Sequence, residues 1–448
     1  MYQSAASMFK NKKVLILGFG REGMSTYRFL RNMYPDMHLT IADKNEIKLD
    51  DKNVTLICGD SYMDSLNDFD IVMKSPGIAF LDVDIKDGTL VTCQTDLFLK
   101  FAPCRKVGIT GSKGKTTTST LIYDMLKEGG FDARLIGNIG VPVLEDINTV
   151  TPETIAVIEM SSHQLEFTTS SPEVAVLTNI YEEHLDHYRD GFRGYVNAKL
   201  NIVRRQKESD TFIYNATQGL DGLCDLGKIK SHKVGVKKDA PLPFAVNNEH
   251  LLGEHNRQDI LFALEAAKHF GVDTAGGGRG GGGKKGKKKS TGKAERAVEK
   301  FSGIEHRMEK VGTFRGITFY NDCIATIPHA VECAVEALKN VDTLIFGGMD
   351  RGLDYSEFEN YLKKSNIKNL IGTPATGHKI CDKIEGAPSK NVYKAANLDE
   401  AVKKAYEVTE KGKICLLSPA ASSYNCYKNF EEKGKHYKKL VREYGKED

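Results

Sequence analysis

Residues 107–117, V-G-I-T-G-S-K-G-K-T-T, join a short apolar segment to a run of helical character that continues from Thr118 to Lys127. Glycines let backbone N–H groups close around phosphate oxygens, and the N-terminus of a following helix adds positive potential. Lys115 can then reach the terminal phosphates of a nucleotide, and the Thr116 hydroxyl can hold Mg²⁺. The strict P-loop pattern has a glycine where this chain has Ile109. An ordinary strand-to-helix turn is the alternative, and phosphate binding is the preferred interpretation.

The composition is typical of a globular protein with more than one domain. The chain has 448 residues, 40% hydrophobic and 27% charged, with a net charge of +3. This length exceeds one typical core, so two or three domains are expected. No apolar run approaches the roughly 18 residues of a membrane-spanning helix, and the first residues lack the apolar core of a signal peptide. Nine cysteines without a C-x-x-C pair argue against a zinc ribbon or disulfide framework, so we expect a cytoplasmic protein.

Three α/β units follow one another along the chain. In each unit, short apolar runs alternate with helical patterns, which is typical of parallel sheets with buried strands. The strand-like runs are 14–17, 39–42, 54–58 and 70–73, then 107–109, 155–158, 174–178 and 211–214, and finally 317–320, 343–346, 369–371 and 414–417. We therefore predict a Rossmann-like domain over residues 1–103, a P-loop domain over 104–302 and a second Rossmann-like domain over 303–448.

A glycine- and lysine-rich segment, residues 276–293, interrupts the second unit. It carries seven Lys/Arg and no acidic or apolar residue, so it cannot pack into a core. Lysine with glycine can follow a phosphate backbone, which would make the segment a nucleic-acid tether. It contains no aromatic residue to stack on bases. We therefore interpret it as a flexible loop and do not expect nucleic acid as a partner.

A second glycine motif, Gly18-x-Gly20-x-x-Gly23, follows the first strand, and Asp43 ends the second strand. This pattern is typical of dinucleotide binding, with Asp43 directed at a ribose hydroxyl. The same cradle can serve a UDP-sugar, or only the packing of a strand on a helix, and the motif does not decide between these. The small-residue turn S-P-G at 75–77 follows the fourth strand and is expected at the same edge of the sheet.

Polar residues follow strands of the second unit. Glu159 ends a strand, where a P-loop protein usually places a carboxylate that reaches Mg²⁺. His184 and His187 have a spacing that zinc could use, but no third ligand lies nearby in the sequence. A hard-cation site shared with ATP is the favoured alternative. Spacing alone indicates that Lys199 is an ordinary solvated lysine.

The ordered set of motifs resembles the Mur ligase family, from about Lys13 to Val441. After T-G-S-K-G-K-T-T come G-N-I-G, E-M-S-S-H-Q-L-E, H-L-D, A-K-L, G-E-H-N, E-H-R and Y-N-D. The opening G-F-G-R-E-G-M-S-T and the closing S-P-A-A-S-S-Y-N-C-Y-K-N-F-E-E-K-G are similar to the branch that adds D-glutamate. The resemblance implies ATP-dependent joining of D-glutamate to UDP-N-acetylmuramoyl-L-alanine through an acyl phosphate, in peptidoglycan precursor synthesis. Because sites for ATP, the UDP-sugar and the amino acid would then be split over three domains, we expect the domains to close on binding.

The resemblance assigns residues to four sites. Those implied for the UDP substrate are Gly18, Phe19, Gly20, Asp43, Ser75, Gly77 and Asn138. Those implied for ATP are Gly111, Ser112, Lys113, Gly114, Lys115, Thr116, Thr117, Asn256, Arg307 and Asp322. Those implied for D-glutamate are Thr326, Arg351, Ser423 and Phe430. Two Mg²⁺ ions are implied at Thr116, Glu159, His184 and a carbamylated Lys199; the catalytic residues would be Lys115, His184 and Lys199.

The chain departs from the family pattern at two positions near the predicted amino-acid site. Ile324 replaces a lysine of the usual N-D-S-K-A-T motif, and Arg351 stands where a lysine often occurs. A Mur-type ligase for a different amino acid is therefore the nearest alternative. A nicotinamide-dependent oxidoreductase would rest on the first glycine motif alone and leave the P-loop unexplained. We expect a monomer without membrane insertion.

Overall fold

The computed structural model describes residues 7–446, apart from positions 140, 221, 249, 252, 276–291, 351–353 and 424–425. The chain forms two compact units, Met1–Ser302 and Gly303–Asp448. The first contains two sheets and the second contains one. Within the described residues, no helix is both long and apolar enough to cross a membrane. Residue Arg351 and most of the glycine/lysine segment (276–291) lie outside the described residues.

The first sheet is parallel, with strand order β3-β2-β1-β4-β5. Its strands are β1 (Val14–Leu17), β2 (Leu39–Asp43), β3 (Val54–Cys58), β4 (Ile71–Lys74) and β5 (Leu90–Thr92), with helices α1 (Arg21–Met33) and α2 (Gln94–Phe101) and a 3₁₀ turn at Leu66–Asp68. The chain winds from β1 to one side through β2 and to the other through β4. The carboxyl ends of β1 and β4 therefore flank a topological switch point, where ligands of such sheets bind.

The second sheet of this unit is also parallel, with order β11-β10-β9-β6-β8-β7. Its strands are β6 (Arg105–Thr110), β7 (Ala133–Gly137), β8 (Ile155–Glu159), β9 (Val174–Leu177), β10 (Thr211–Asn215) and β11 (His232–Val236). Its helices are α3 (Lys115–Gly129), α4 (Val143–Asp146), α5 (Ser162–Leu165), α6 (Gly191–Arg204), α7 (Glu254–His269) and α8 (Lys293–Lys300), with 3₁₀ turns at Leu185–His187 and Leu226–Lys228. The central strand β6 leads directly into the P-loop motif, and every residue of β8 is buried.

The third sheet has order β12-β13-β17-β14-β15-β16, and β12 alone runs antiparallel to its neighbour. Its strands are β12 (Glu309–Phe314), β13 (Ile317–Asn321), β14 (Val341–Phe346), β15 (Asn369–Gly372), β16 (Asn391–Lys394) and β17 (Ile414–Leu417). Its helices are α9 (Pro328–Leu338), α10 (Ser356–Lys364), α11 (Thr376–Ile384), α12 (Leu398–Val408) and α13 (Phe430–Tyr444).

The predicted fold class, three α/β sheets in series, is confirmed. The prediction that 54–58 is a buried strand is wrong, because β3 lies at the edge of its sheet and Leu56 is 36% exposed. The edge position removes the second neighbour that would cover these side chains. The boundary predicted at 103/104 falls between the two sheets of the first unit.

Candidate functional site

The turn after β1 is held in shape by its neighbours at the switch point. The backbone N–H of Phe19 donates to Asp43 Oδ2 at 2.6 Å, and the Ser75 hydroxyl donates to the carbonyl of Gly18 at 2.9 Å. A Cβ on Gly23 would lie 1.9 Å from the Gly18 oxygen, so only glycine lets α1 begin this close to the turn. The glycine motif, Asp43 and the S-P-G turn are thus brought together as the sequence predicted.

Asp43 has a structural task within this cradle. Besides the bond to Phe19, its Oδ1 accepts the backbone N–H of Asn45 at 2.8 Å. The carboxylate therefore fixes the loops after β1 and β2 relative to each other. Cβ atoms built on Gly20 or Gly77 would meet no neighbour within 4 Å, so both backbones border open space. Contact of these residues with a UDP moiety stays a prediction.

The P-loop motif wraps the N-terminus of α3. Gly114 caps this helix in the left-handed conformation at φ 81°, which leaves the first helical residue, Lys115, directly beside the loop. The Lys115 ammonium lies over the loop and donates to the carbonyls of Gly111 and Ser112, both at 2.9 Å. The Ser112 hydroxyl is 2.6 Å from the Tyr195 hydroxyl. The loop is therefore fastened both to its own helix and to α6.

The other residues of this loop that are predicted to bind ATP either form polar contacts with neighbouring residues or are buried. Lys113 forms an ion pair with Glu183 at 2.5 Å, and its backbone N–H donates to the Asn179 side chain at 2.8 Å. Thr116 and Thr117 lie in the first turn of α3 and are 6% and 8% exposed. The backbone N–H groups of a helix N-terminus favour an anion at this position.

Glu159 is suited to a hard cation. It ends β8 beside Ile109 of β6 and is 1% exposed. Its Oε1 accepts the Asn138 side-chain N–H at 2.7 Å, whereas its buried Oε2 has no hydrogen-bond partner among the described residues. An unsatisfied buried carboxylate oxygen is costly, and Mg²⁺ prefers such oxygen ligands together with a hydroxyl such as that of Thr116. The residues present therefore fit a magnesium ion, and Asn138 orients the carboxylate.

Lys199 is a buried lysine, and the interpretation from spacing alone as a solvated one is wrong. It is 2% exposed, it donates to the carbonyl of Gly111 at 2.8 Å, and its ammonium lies 4.6 Å from the ring centroid of Tyr195. Burial, followed by the charge of Lys115, moves the pKa of Lys199 well below its usual range. A larger neutral fraction of the amine favours reaction with CO₂, so the environment suits the carbamylation implied by the family resemblance.

His184 lies at the start of the 3₁₀ turn 185–187, with φ 54°. Its ring centroid is 4.8 Å from that of His163, and His163 is 3.9 Å from His187. Burial lowers the pKa of His184, and burial with the neighbouring histidines lowers the pKa of His163 to about 3. Both rings are therefore favoured in the neutral form, which can ligate a metal. In the part of the chain that the structure describes, no group of three or more His, Cys, Asp or Glu side chains could hold a metal, which leaves the zinc alternative without a ligand set.

In the compact unit Gly303–Asp448, the predicted ATP residues lie at the carboxyl end of β13. Asp322 is 3% exposed and accepts hydrogen bonds from the Ser418 hydroxyl at 2.7 Å and from the Met308 N–H at 3.1 Å. Burial raises the pKa of Asp322 to about 6. Arg307 is exposed and follows His306, whose ring centroid is 6.0 Å from that of Phe430. Predicted nucleotide and amino-acid residues thus share one edge of this sheet.

The remaining predicted D-glutamate residues lie on the same edge. Thr326 is half-buried in the turn that follows Asp322. The backbone N–H of Ala420 donates to the Ala325 carbonyl at 3.0 Å, which joins this turn to the segment after β17 that carries Ser423. The Ser423 hydroxyl is buried, and no described residue forms a hydrogen bond with it. Arg351 lies outside the described residues. Asn256 lies in the first turn of α7, in the first unit.

Sequence reasoning missed a buried cation beside the predicted amino-acid site. Lys433 is 4% exposed and donates to the carbonyl of Gly347 at 2.9 Å, and burial lowers its pKa. It was missed because a lysine within E-E-K-G-K suggests a solvated helix face. The available signal was its spacing, since it lies three residues after Phe430 and therefore on the same face of α13.

Comparison with known proteins gives consistent matches along the chain. Three family descriptions match: "Mur ligase MurD-like, N-terminal domain" over residues 12–91, "Mur ligase middle domain" over 109–240 and "Mur ligase, glutamate ligase domain" over 306–421. Among curated relatives, the UDP-N-acetylmuramoylalanine--D-glutamate ligase of Clostridium kluyveri is 32% identical, over 97% of each chain. That of Ligilactobacillus salivarius is 31% identical, over 97% of this chain and 96% of its own.

Solved structures share the fold at lower sequence identity. MurF ligase from Thermotoga maritima in complex with ADP is 16% identical with a TM-score of 0.55, covering 96% of this chain and 95% of its own. UDP-N-acetylmuramate-alanine ligase MurC from the same organism is 17% identical with a TM-score of 0.55, covering 97% of this chain and all of its own.

Proposed function

Because the chain belongs to the Mur ligase family, we propose that it uses ATP to join D-glutamate to UDP-N-acetylmuramoyl-L-alanine. The observation that carries the proposal is the likeness to D-glutamate-adding ligases over 97% of the chain. The P-loop region agrees with it, since Lys115 and Lys199 both donate to the Gly111 carbonyl and Glu159 pairs with Ile109, two residues before that glycine.

A carboxylate and an amine do not condense in water, because oxide is a poor leaving group and an ammonium is not a nucleophile. ATP solves the first problem: the substrate carboxylate attacks the γ-phosphorus, ADP leaves and an acyl phosphate forms. The neutral amine of D-glutamate then attacks the acyl carbon and phosphate leaves. The protein contributes position and charge neutralisation, for which we propose Lys115 and Arg307.

We propose that Thr116 and Glu159 hold one Mg²⁺ and that His184 and carbamylated Lys199 hold a second. Bound there, the ions would supply positive charge to the phosphoryl oxygens. Asn138 keeps the Glu159 carboxylate in place through its hydrogen bond. Unmodified Lys199 is a donor to the Gly111 carbonyl, so only the carbamylated form offers oxygen ligands. A base must also accept the proton of the amine; His184 is the candidate when it is not occupied by metal.

For the amino acid, we propose the carboxyl-end edge of the third sheet. Thr326, Phe430 and the Ser423 hydroxyl, which has no hydrogen-bond partner among the described residues, would bind the amino acid there. The family resemblance adds Arg351, which lies outside the described residues. A guanidinium can pair with a carboxylate through two parallel hydrogen bonds. At the first sheet, we propose that Gly18, Phe19, Gly20, Asp43, Ser75 and Gly77 hold the UDP moiety. We further propose a monomer that works in the cytoplasm.

The test is phosphate release with ATP, Mg²⁺ and UDP-N-acetylmuramoyl-L-alanine against a panel of amino acids that includes both glutamate enantiomers. Release with D-glutamate alone, and a ligated product of the matching mass, is the expected outcome. Release with another amino acid would retain the mechanism and assign the difference to Ile324 and Arg351. Folded protein that binds ATP and is silent across the panel would overturn the proposal. Fluorescence titration with NADH tests the oxidoreductase alternative, for which no binding is expected.

A further inference from the structure

A buried ion pair joins the two sheets of the first unit. The Lys74 ammonium is 3.2 Å from Glu166 Oε2, and the two side chains are 2% and 17% exposed. The ammonium also lies 5.5 Å from the ring centroid of Phe80 and 5.3 Å from that of Phe167. The ammonium is therefore buried beside two aromatic rings, whereas the Glu166 carboxylate keeps partial exposure. Burial lowers the pKa of Lys74, and Glu166 opposes this shift.

The lysine end of the pair adjoins the UDP cradle, the set of residues proposed to hold the UDP moiety (Gly18, Phe19, Gly20, Asp43, Ser75 and Gly77). Lys74 is the last residue of β4 and directly precedes Ser75. Ser75 is bonded to the first glycine turn twice, through its N–H to the Leu17 carbonyl at 2.8 Å and through its hydroxyl to the Gly18 carbonyl at 2.9 Å. A displacement of Lys74 therefore moves the loop that is proposed to hold the UDP moiety.

The glutamate end belongs to the predicted phosphoryl-transfer region. Glu166 Oε2 is also 3.3 Å from Nε2 of the His187 ring. The backbone N–H of His187 donates to the backbone carbonyl of His184 at 3.1 Å. The Asn201 side chain donates to the Glu166 carbonyl at 3.1 Å, and Asn201 lies on α6 two residues after Lys199. The Glu166 carboxylate thus contacts the turn that begins with His184, and the Glu166 backbone is bonded to the helix that carries Lys199.

We propose that Lys74 and Glu166 are positioning residues for the ligation. Their ion pair would fix the position of the UDP cradle relative to His184 and Lys199. The carboxylate of a UDP-linked substrate would then lie next to the γ-phosphate of ATP. The inference rests on the proposed function, in which these two places bind the two ends of one substrate. A buried ion pair is in general weak evidence of stabilisation, which leaves room for a specific geometric role.

The test uses three variants of the full chain: Lys74→Met, Glu166→Gln and the double variant. Each single variant leaves one buried charge without its partner and is expected to lower the melting temperature. The double variant removes both charges and is expected to melt close to the wild type. Its kcat/KM for UDP-N-acetylmuramoyl-L-alanine should nevertheless be lower by about tenfold or more, because small misplacements of reacting groups are costly. The KM for ATP and the affinity for ADP should be unchanged.

A matched control comes from the same sheet. Arg31 and Asp51 form a second partly buried pair, with side chains 18% and 14% exposed and a distance of 2.9 Å, on the far end of α1 from the cradle. Arg31→Met with Asp51→Asn should lower stability and leave kcat/KM unchanged. Recovery of both stability and kcat/KM in the Lys74→Met/Glu166→Gln protein would overturn the inference. Wild-type turnover with D-glutamate is measured first, so that failure of the proposed function is recorded separately.

Discussion

Two lysine ammonium groups share one carbonyl oxygen at the P-loop. Lys115 donates to the Gly111 carbonyl at 2.9 Å and Lys199 donates to the same oxygen at 2.8 Å. Burial is the larger cause of the lowered pKa of Lys199, and repulsion from the nearby Lys115 charge adds to it. Conversion of Lys199 to a carbamate would exchange this repulsion for attraction to Lys115. The same residue is therefore unfavourable as an ammonium and favourable as a carboxylate.

Lys199→Ala is expected to lower kcat by at least about a hundredfold, since it removes the oxygen ligands proposed for the second Mg²⁺. Added acetate or propionate should restore part of the rate, because a small carboxylate can enter the space left by the side chain. Phosphate release is measured against the concentration of the acid. An alanine variant at the exposed Lys207 is the control and should show neither loss nor rescue. Absence of rescue at every concentration would contradict carbamylation.

Lys115→Ala is expected to reduce turnover by about a hundred- to a thousandfold, because one preorganised donor to a developing charge contributes roughly that factor. Product formation is followed by mass spectrometry. Lys127 lies exposed in the last turn of the same helix, so Lys127→Ala controls for the loss of a lysine from α3. Substantial residual turnover in Lys115→Ala would break the assignment of the P-loop.

Site residues within local motifs could be predicted from the sequence, whereas those set by packing could not. The P-loop and the strand end at Glu159 follow from a fixed order of apolar run, glycine and charge. Lys199 and Lys433 are lysines in polar helical segments, and only the folded structure shows that both are buried. The Lys74–Glu166 pair joins residues 92 positions apart, and no local pattern reports such a contact.

At the scale of elements, the strands with a neighbour on each side in their sheet were all predicted from the sequence, whereas β3 is the one edge strand among the described residues that was. β8 is buried throughout, and all of its residues except the last, Glu159, are apolar. β11, β12 and β16 occupy edges and carry polar residues with partial exposure, which removed the apolar signal and left them unpredicted. The direction of β12, antiparallel to β13, follows from the tight connection at residues 315–316.

Helix α3 contains two carboxylates one turn apart, Asp124 and Glu128. Burial, and then the charge of Glu128, raises the pKa of Asp124 from 3.8 to about 6. A folded-state pKa above the unfolded value means that ionised Asp124 opposes folding above about pH 6. This penalty disappears as the pH falls below the unfolded pKa, where the carboxyl is protonated in both states.

Asp124→Asn should therefore raise the free energy of unfolding by about 1 kcal/mol near neutral pH, after allowance for partial solvent screening. The gain should shrink as the pH is lowered from about 8 to about 4. Urea unfolding followed by circular dichroism at several pH values measures it. Glu128 pairs with Arg296 and Lys300 of α8, so Glu128→Gln serves as a contrast that loses two ion pairs. A destabilised Asp124→Asn protein near pH 8 would contradict this account.

At the scale of the whole molecule, the glycine/lysine segment lies between helices α7 and α8. A hydrogen bond joins the chain before the segment to the chain after it. The N–H of Ala294, in the first turn of α8, lies 3.4 Å from the carbonyl of Asp273, shortly after α7. The two ends of the segment therefore lie next to each other. A long loop between fixed ends costs little more than a short one, since closure entropy grows only with the logarithm of length. Such an insertion is compatible with the fold for this reason, without any function of its own.

Deletion of residues 276–291 should accordingly leave kcat, KM and the melting temperature unchanged. The retained residues 274–275 and 292–293 are enough to connect the hydrogen-bonded ends as a turn. Because the deletion also removes six of the seven basic residues, a second variant keeps the length and replaces those six by serine, which separates charge from length. If the segment binds nucleic acid, a salt-dependent gel shift of the wild type will be lost in both variants while ligase activity is kept. Loss of ligase activity in the deletion alone would instead show that the segment's length matters for folding or turnover, against the interpretation as a simple loop.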